Sequence, residues 1–318
     1  MPENPPSPTI AEAVAILRDG GLLAIPTETV YGLAADARNP EAIARIFALK
    51  GRPADHPLIV HIADADRLDD WAVTIPEAAR KLAAAFWPGP LTLILKKRAE
   101  VADAVTGGQD TVGLRSPDHA LTLALLKAFG GGLAAPSANR FGRISPTSAG
   151  HVRDEFGENA PPILDGGPCP VGIESTIVDL SQRPPRILRE GHIRREQLLP
   201  FLPELQSGLA AASPRVSGSL DAHYAPRTQM RMLEREPLIE AATDDPRCVL
   251  LALDGLPPET QGLSLPAQPE AYAHGLYAAL RELDARDATC ILIEQPPSGP
   301  DWLAVNDRIK RALAGAGL

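Results

Sequence analysis

Cysteine and aromatic residues are scarce in this chain, positive charge is in deficit, and long apolar runs are missing. Each shortage removes a class of protein. The three cysteines, Cys169, Cys248 and Cys290, stand far apart in 318 residues and form no CxxC pair. They suggest neither a zinc site nor a disulfide framework, and they fit a reducing cytosol. Aromatics make up 4% of the residues and the formal net charge is −9. That balance argues against a broad nucleic-acid surface while leaving room for a local basic pocket. No apolar run approaches membrane-spanning length. The stretch Met1 to Pro8 is polar and proline-rich, without the basic and apolar regions of a secretion signal, so a cytoplasmic protein with no membrane partner is expected. Two nucleotide-binding loops are also missing: there is no Gly-x-x-x-x-Gly-Lys-Ser/Thr, and no spaced GxGxxG follows a strand. A P-loop ATPase and a dinucleotide dehydrogenase are therefore disfavoured. With 44% hydrophobic and 22% charged residues, the chain has an ordinary globular composition and room for two domains.

Helical and strand-like patterns alternate along it. Thr9-Ile-Ala-Glu12 reads as a capping box opening a helix that stops at Gly20. Leu22–Ile25 reads as a buried strand, and Asn39-Pro40 opens a second helix that ends near Gly51. Further helices are predicted at 76–86, 118–129, 146–156 and 194–201, and strands at 91–95, 133–135, 173–180 and 186–188. This is a mixed α/β pattern over residues 7–205. Residues 206–227 read as a linker, rich in Gly, Ser and Ala until Leu220-Asp-Ala-His-Tyr-Ala-Pro226. Over 228–318, strands at 249–253 and 290–294 flanked by helices at 269–286 and 301–314 predict a smaller, Rossmann-like open α/β domain with parallel strands.

Chemistry-bearing residues gather at the ends of these elements. Pro26-Thr-Glu-Thr-Val-Tyr-Gly32 follows the first strand with hydroxyls and a carboxylate. Lys50-Gly-Arg-Pro53 places two cations at a helix end, where they would complement the helix dipole or face an anionic ligand. His56 and His61 lie just beyond, His61 in an apolar strand pattern where a structural role is the commoner one. Arg115 ends an apolar stretch that begins at Thr111; it reads as a surface ion-pair partner or as a bidentate carboxylate clamp. Ala135-Pro-Ser-Ala-Asn139, Ser145, Ser175-Thr176 and Arg189 add an amide, hydroxyls and a further cation. Singly, each admits a structural reading. Together they put hydroxyls and cations where α/β folds bind ligands.

In order and spacing, Pro26–Gly32, Lys50–Pro53, Pro57–His61, Val112–Arg115, Pro136–Asn139, Ser175-Thr176 and His223–Pro226 resemble the threonylcarbamoyl-AMP synthase family in its two-domain form. The resemblance implies a YrdC-like first domain with a mixed twisted sheet. It also implies a reaction that makes threonylcarbamoyl-AMP and pyrophosphate from L-threonine, bicarbonate and ATP. A separate threonylcarbamoyl-transfer machinery then modifies tRNA. By resemblance, Thr29, His61, Arg115, Ser175 and the backbone near Ala135 would hold threonine. Arg52, His56, Thr111, Ser137, Ser145, Arg189 and Tyr224 would hold the nucleotide, with Lys50 adding charge near the phosphates. The family commonly has asparagine where His56 stands. No metal ligands are expected, so Mg²⁺ would ride on the ATP phosphates. Tyr224 would close over the nucleotide as part of a lid. Weak RNA binding and a hydrogenase-maturation type of carbamoyl transfer are the alternatives; the latter normally carries cysteine pairs that this chain does not have.

Overall fold

The computed structural model describes residues 6–218 and 220–317, which build two sheets. The first contains β1 (Leu23–Ile25), β2 (Gly32–Asp36), β3 (Ile59–His61), β4 (Leu91–Lys96), β5 (Thr111–Arg115), β6 (Leu133–Ala134), β7 (Thr176–Asp179), β8 (Arg186–Arg189) and β9 (Gln206–Ser207). Their spatial order is β1-β2-β6-β3-β5-β4-β7-β8-β9, with parallel and antiparallel pairs mixed. The associated helices are α1 (Ile10–Arg18), α2 (Pro40–Lys50), α3 (Glu77–Phe86), α4 (Asp103–Thr106), α5 (Ala120–Phe129), α6 (Ala149–Phe156) and α7 (Arg195–Leu198). The second sheet is wholly parallel, in the order β10 (Met230–Leu233), β13 (Ile291–Glu294), β11 (Val249–Leu253), β12 (Gly262–Leu265). Helix α8 (Arg235–Asp244) packs on one face of it, and α9 (Pro269–Asp284) with α10 (Leu303–Gly315) on the other. Helices on both faces of a parallel sheet give the Rossmann-like arrangement expected for this part.

Period-two alternation decides which residues of the large sheet meet the core. On β5, Val112 and Leu114 face the main hydrophobic cluster beside Val60, Leu93, Leu95 and Val178, and helices α2 and α3 bury their apolar sides there. The other face then carries Thr111, Gly113 and Arg115. Cross-strand pairing sets His61 beside Arg115 and Ile59 beside Gly113 on that same face. At β8 the register shifts: Ile177 pairs Arg189 and Val178 pairs Ile187, leaving Leu188 as an extra residue. Strict alternation from Ile187, which faces the core, would return Arg189 to the core face; the bulge instead sets Arg189 opposite Ile177 on the open face, where Leu188 also packs. Thr111, His61, Arg115 and Arg189 thus share the face opposite the main core.

Helix α2 delivers the basic turn. Asn39 Oδ1 accepts from the amides of Glu41 and Ala42, Pro40 sits at the first turn, and Gly51 ends the helix at φ 62°. The amide of Arg52 then donates to the Phe47 carbonyl at 3.0 Å, closing the left-handed cap. The two sheets are not independent bodies. Val30, Ile144, Ile173 and Tyr224 belong to one buried cluster with Tyr272, Leu276, Tyr277, Leu280 and Ile309. Gly172, at φ 83°, approaches α9 so closely that a Cβ would lie 2.5 Å from the His274 carbonyl oxygen.

Candidate active site

Between the open face of the large sheet and Ser217, Gly218, His223 and Tyr224 lies a cavity. Thr27, Thr29, His61, Arg115 and Ala135 form one end; Arg52, Ser137, Glu174, Arg189, Ser217 and Tyr224 form the other. At the first end, Thr27 Oγ1 accepts from the amides of Thr29 (3.1 Å) and Val30 (3.2 Å), which fixes the turn between β1 and β2. Arg115 Nη2 donates to Thr29 Oγ1 at 2.9 Å and lies 2.7 Å from Glu28 Oε2, with both side chains buried. Burial, and then the positive Arg115, hold the imidazole of His61 down to about 3, so it is neutral. Among the described residues its Nδ1 has no hydrogen-bond partner.

The other end is built from cations. Arg52 Nη2 donates to the Pro57 carbonyl (2.9 Å) and to Ser217 Oγ (3.2 Å), and burial brings its guanidinium down to about 10, still charged at neutral pH. Arg189 donates to the Ser175 carbonyl from Nε (3.0 Å) and Nη2 (2.8 Å), to Ser175 Oγ at 3.0 Å, and from Nη1 to the Ser217 carbonyl at 2.9 Å. Ser217 therefore bridges the two arginines. Tyr224 is buried at φ 63°, its ring centre 4.1 Å from that of His223 at an interplanar angle of 68°. Burial and then Glu174 push its phenol up to about 12, and among the described residues its hydroxyl has no hydrogen-bond partner.

Eight of the residues named from the sequence line this cavity: Thr29, Arg52, His61, Arg115, Ala135, Ser137, Arg189 and Tyr224. The others stand around it. Lys50 is buried behind the wall, and its Nζ donates to the carbonyls of Ser137 (2.6 Å) and Asn139. Burial, then Arg52, lower its pKa well below the ordinary lysine value. Asn139 Nδ2 in turn donates to the carbonyls of Arg140 (2.9 Å) and Arg143 (2.8 Å), so Lys50 and Asn139 together staple the loop that carries Ser137. Ser175 turns its hydroxyl to Thr92 at 2.8 Å, and Ser145 donates to Glu174 Oε1 at 2.6 Å. Thr111 lines an adjoining groove under Val216. His56 lies in an outer lobe with Phe141, Leu220 and His223, its ring 5.3 Å from that of Phe141. Burial, then Arg52, lower its pKa.

Sequence reasoning passed over Glu28, Glu174, Ser217 and Arg308. Arg308 left a signal: Val305, Ile309 and Ala312 form the buried stripe of α10, and position 308 falls within it. An arginine in such a slot needs a buried partner. The acids at the cavity are committed to arginines, Glu28 to Arg115 and Glu174 to Arg308. Among the described residues no group of three or more His, Cys, Asp or Glu side chains could hold a metal ion. This donor set does not build a resident Mg²⁺ site.

A small, buried, arginine-rich cavity on the open face of a mixed sheet defines an α/β protein that takes a compact anionic ligand. The chain belongs to the threonylcarbamoyl-AMP synthase family. Residues 15–191 match the Sua5/YciO/YrdC family, described as "Telomere recombination", and residues 193–314 match "Threonylcarbamoyl-AMP synthase, C-terminal domain". The threonylcarbamoyl-AMP synthase of Pyrococcus abyssi is 38% identical over 314 residues, covering 94% of this chain and 92% of that protein. The Bacillus subtilis enzyme of the same name is 38% identical over 328 residues, covering 97% and 94%. The crystal structure of P. abyssi Sua5 complexed with L-threonine superposes with a TM-score of 0.89 at 38% identity, covering 96% of this chain and 94% of that one.

Proposed function

We propose that this chain condenses L-threonine, bicarbonate and ATP into threonylcarbamoyl-AMP and pyrophosphate, for the threonylcarbamoyl modification of tRNA by a separate transfer machinery in the cytoplasm. The observation that carries the reading is one cavity with an arginine–hydroxyl end at Arg115 and Thr29 and a two-arginine end at Arg52 and Arg189. In this scheme Arg115 and Thr29 hold the threonine carboxylate and hydroxyl, with neutral His61 and the backbone near Ala135 completing that end. The threonine amine adds to carbon dioxide with loss of a proton, or condenses with bicarbonate with loss of water, to give a carbamate. A carbamate oxygen then attacks the α-phosphorus, the bond to the β-phosphate oxygen breaks, and pyrophosphate leaves with the electron pair. Arg52 and Arg189 neutralise the charge that develops there, and the work is positioning and electrostatics rather than covalent catalysis.

Lys50 contributes from behind the wall by fixing the Ser137–Asn139 loop and by its charge. Ser145, Ser175, Thr111 and His56 act from the rim, through Glu174, Arg189 and the adjoining lobes. Mg²⁺ enters only as the counter-ion carried on the ATP phosphates. Residues 7–205 form the catalytic domain, 206–227 the linker and 228–318 the C-terminal domain. Ser217 occupies the space between Arg52 and Arg189, so the nucleotide phosphates displace it and the linker re-closes over them with Tyr224. The test is product analysis with ATP, labelled bicarbonate and L-threonine. Pyrophosphate and a labelled AMP adduct that require threonine are expected. Turnover to ADP and phosphate, indifferent to threonine, would overturn the reading.

A further inference from the structure

Glu174 is the point where the C-terminal domain reaches the cavity. It lies just before β7, lines the nucleotide end, and is buried. Its Oε1 accepts from Ser145 Oγ at 2.6 Å. Its Oε2 accepts from Tyr277 Oη at 2.8 Å and from Arg308 Nε at 2.9 Å. Tyr277 stands on α9 and Arg308 on α10, and both are fully buried. Arg308 has further commitments at the same place. Nη2 donates to the Glu190 carbonyl at 3.0 Å, one residue past Arg189, and its guanidinium lies 5.3 Å from the centre of the Tyr224 ring. The Tyr277 ring lies 5.5 Å from Tyr224 at 30°.

We propose that Arg308 and Tyr277 are positioning residues for the nucleotide end of the site, acting through Glu174 on Ser145, through Glu190 on Arg189, and directly on the ring of Tyr224. The alternative is that they merely glue two domains together. Buried ion pairs are poor glue, because desolvation cancels much of the attraction and apolar packing serves as well. The apolar part of the interface, from Val30, Ile144 and Ile173 onto α9 and α10, already supplies adhesion. What the polar group adds is a fixed geometry: one end of Arg308, Nη1, pairs with Asp307 at 2.8 Å away from the site, while its Nε, Nη2 and ring contact reach Glu174, the Glu190 carbonyl beside Arg189, and Tyr224. The Glu174 carboxyl agrees with this: burial pushes it up, but Arg308 and Arg189 outweigh burial and hold it at about 2, so it stays a charged acceptor. By contrast Arg194, which bridges the same two domains at the surface through Asp301 at 2.6 Å, ends on nothing in the site.

The inference rests on the synthase reading, and the experiment separates the two. Tyr277→Phe removes one hydroxyl and keeps the ring; Arg308→Lys keeps the charge and loses the fork; Arg194→Ala is the interface control. ATP affinity, threonine affinity by calorimetry, synthesis kinetics and melting temperature are measured for each. A charged hydrogen bond transmitted to the site predicts about a tenfold weaker ATP affinity or KM in Tyr277→Phe. Arg308→Lys should lose at least as much, threonine affinity should stay within about twofold in both, and Arg194→Ala should keep the parent's ATP constants. Should Arg308→Lys fail to fold, Tyr277→Phe alone decides. Losses in melting temperature with unchanged ATP constants, or equal losses for ATP and threonine, would overturn the proposal. Failure of the parent protein to make the adduct would instead overturn the synthase reading, and ATP titration would still decide whether Tyr277 and Arg308 position the site.

Discussion

Arg115 and Glu28 form a buried ion pair whose cationic member also reaches Thr29, so one side chain links the stability of the β1–β2 turn to ligand binding. Arg115→Ala leaves Glu28 buried and unpaired, a change that typically costs about 3–5 kcal/mol. It should also abolish measurable threonine binding. Adding Glu28→Gln should restore much of the melting temperature without restoring threonine affinity, as read by thermal melts and calorimetry. A singly substituted protein that still binds threonine normally would remove Arg115 from the carboxylate end. At this scale the sequence announced which residue types gather, because alternation along β5 sends Thr111 and Arg115 to one face while Val112 and Leu114 pack. It did not announce which polar atom satisfies which. Lys50 belongs to a basic turn by sequence, yet two carbonyls more than eighty residues away claim its ammonium. Ser145 reads as a free hydroxyl, yet it donates its hydrogen bond to Glu174. Such pairings depend on tertiary register, which local patterns do not carry.

The linker shows the same limit for whole elements. Its Gly, Ser and Ala content reads as a flexible span, but it is docked by contacts distant in sequence. The Arg215 amide donates to Gln109 Oε1 at 2.7 Å and Gln109 Nε2 donates back to the Arg215 carbonyl at 3.1 Å; the guanidinium pairs with Asp55 at 2.8 Å. Val216 packs with Ile94, Ile177 and Leu188 on the open sheet face. Long amphipathic helices such as α2, α5 and α9 were legible within a few residues, since caps and periodicity are local. Strands β2, β10 and β12 and helix α8 were not. Gly32-Leu-Ala-Ala-Asp36 holds no β-branched residue, and α8 mixes polar and apolar positions. The helix predicted over 194–201 is a single turn, Arg195–Leu198. Because Arg215 is exposed, Arg215→Ala should lower stability by no more than about 1 kcal/mol. Faster amide exchange confined to the linker should accompany it, with some loss of adduct to hydrolysis as water enters. Tyr224→Ala should cut turnover far more, with the first sheet still folded. Full activity in Tyr224→Ala would take the linker out of the mechanism.

At the scale of the molecule, the shared core makes the two domains one unit of stability, and burial at their junction ties that stability to pH. Burial holds His223 down to about 3; Glu174 opposes this, while Arg52, Lys50 and Arg189 reinforce it. His61 is held to about 3 by burial and Arg115, and His151 to about 4 by burial and Arg281. An unfolded histidine protonates near its ordinary value of about 6.5. As pH falls below that value the unfolded chain takes up protons that the folded chain refuses, so stability is lost progressively down towards pH 3. Glu174 acts with the same sign over a lower window. Its folded value of about 2 lies below the ordinary carboxyl range, so the stability it contributes at neutral pH is lost as pH drops below about 4.5. Three histidines that refuse protons in the folded state give a slope of roughly 4 kcal/mol per pH unit around pH 5. Denaturant melts between pH 7 and 4 should show that decline, beginning near pH 6.5 before the carboxylate contributes. His223→Gln, which keeps a polar side chain but cannot titrate, should remove roughly a third of the slope above pH 4.5 whatever it does to activity. A parent-like slope in that variant would mean that His223 accepts its proton in the folded protein, and that the junction opens in acid without unfolding.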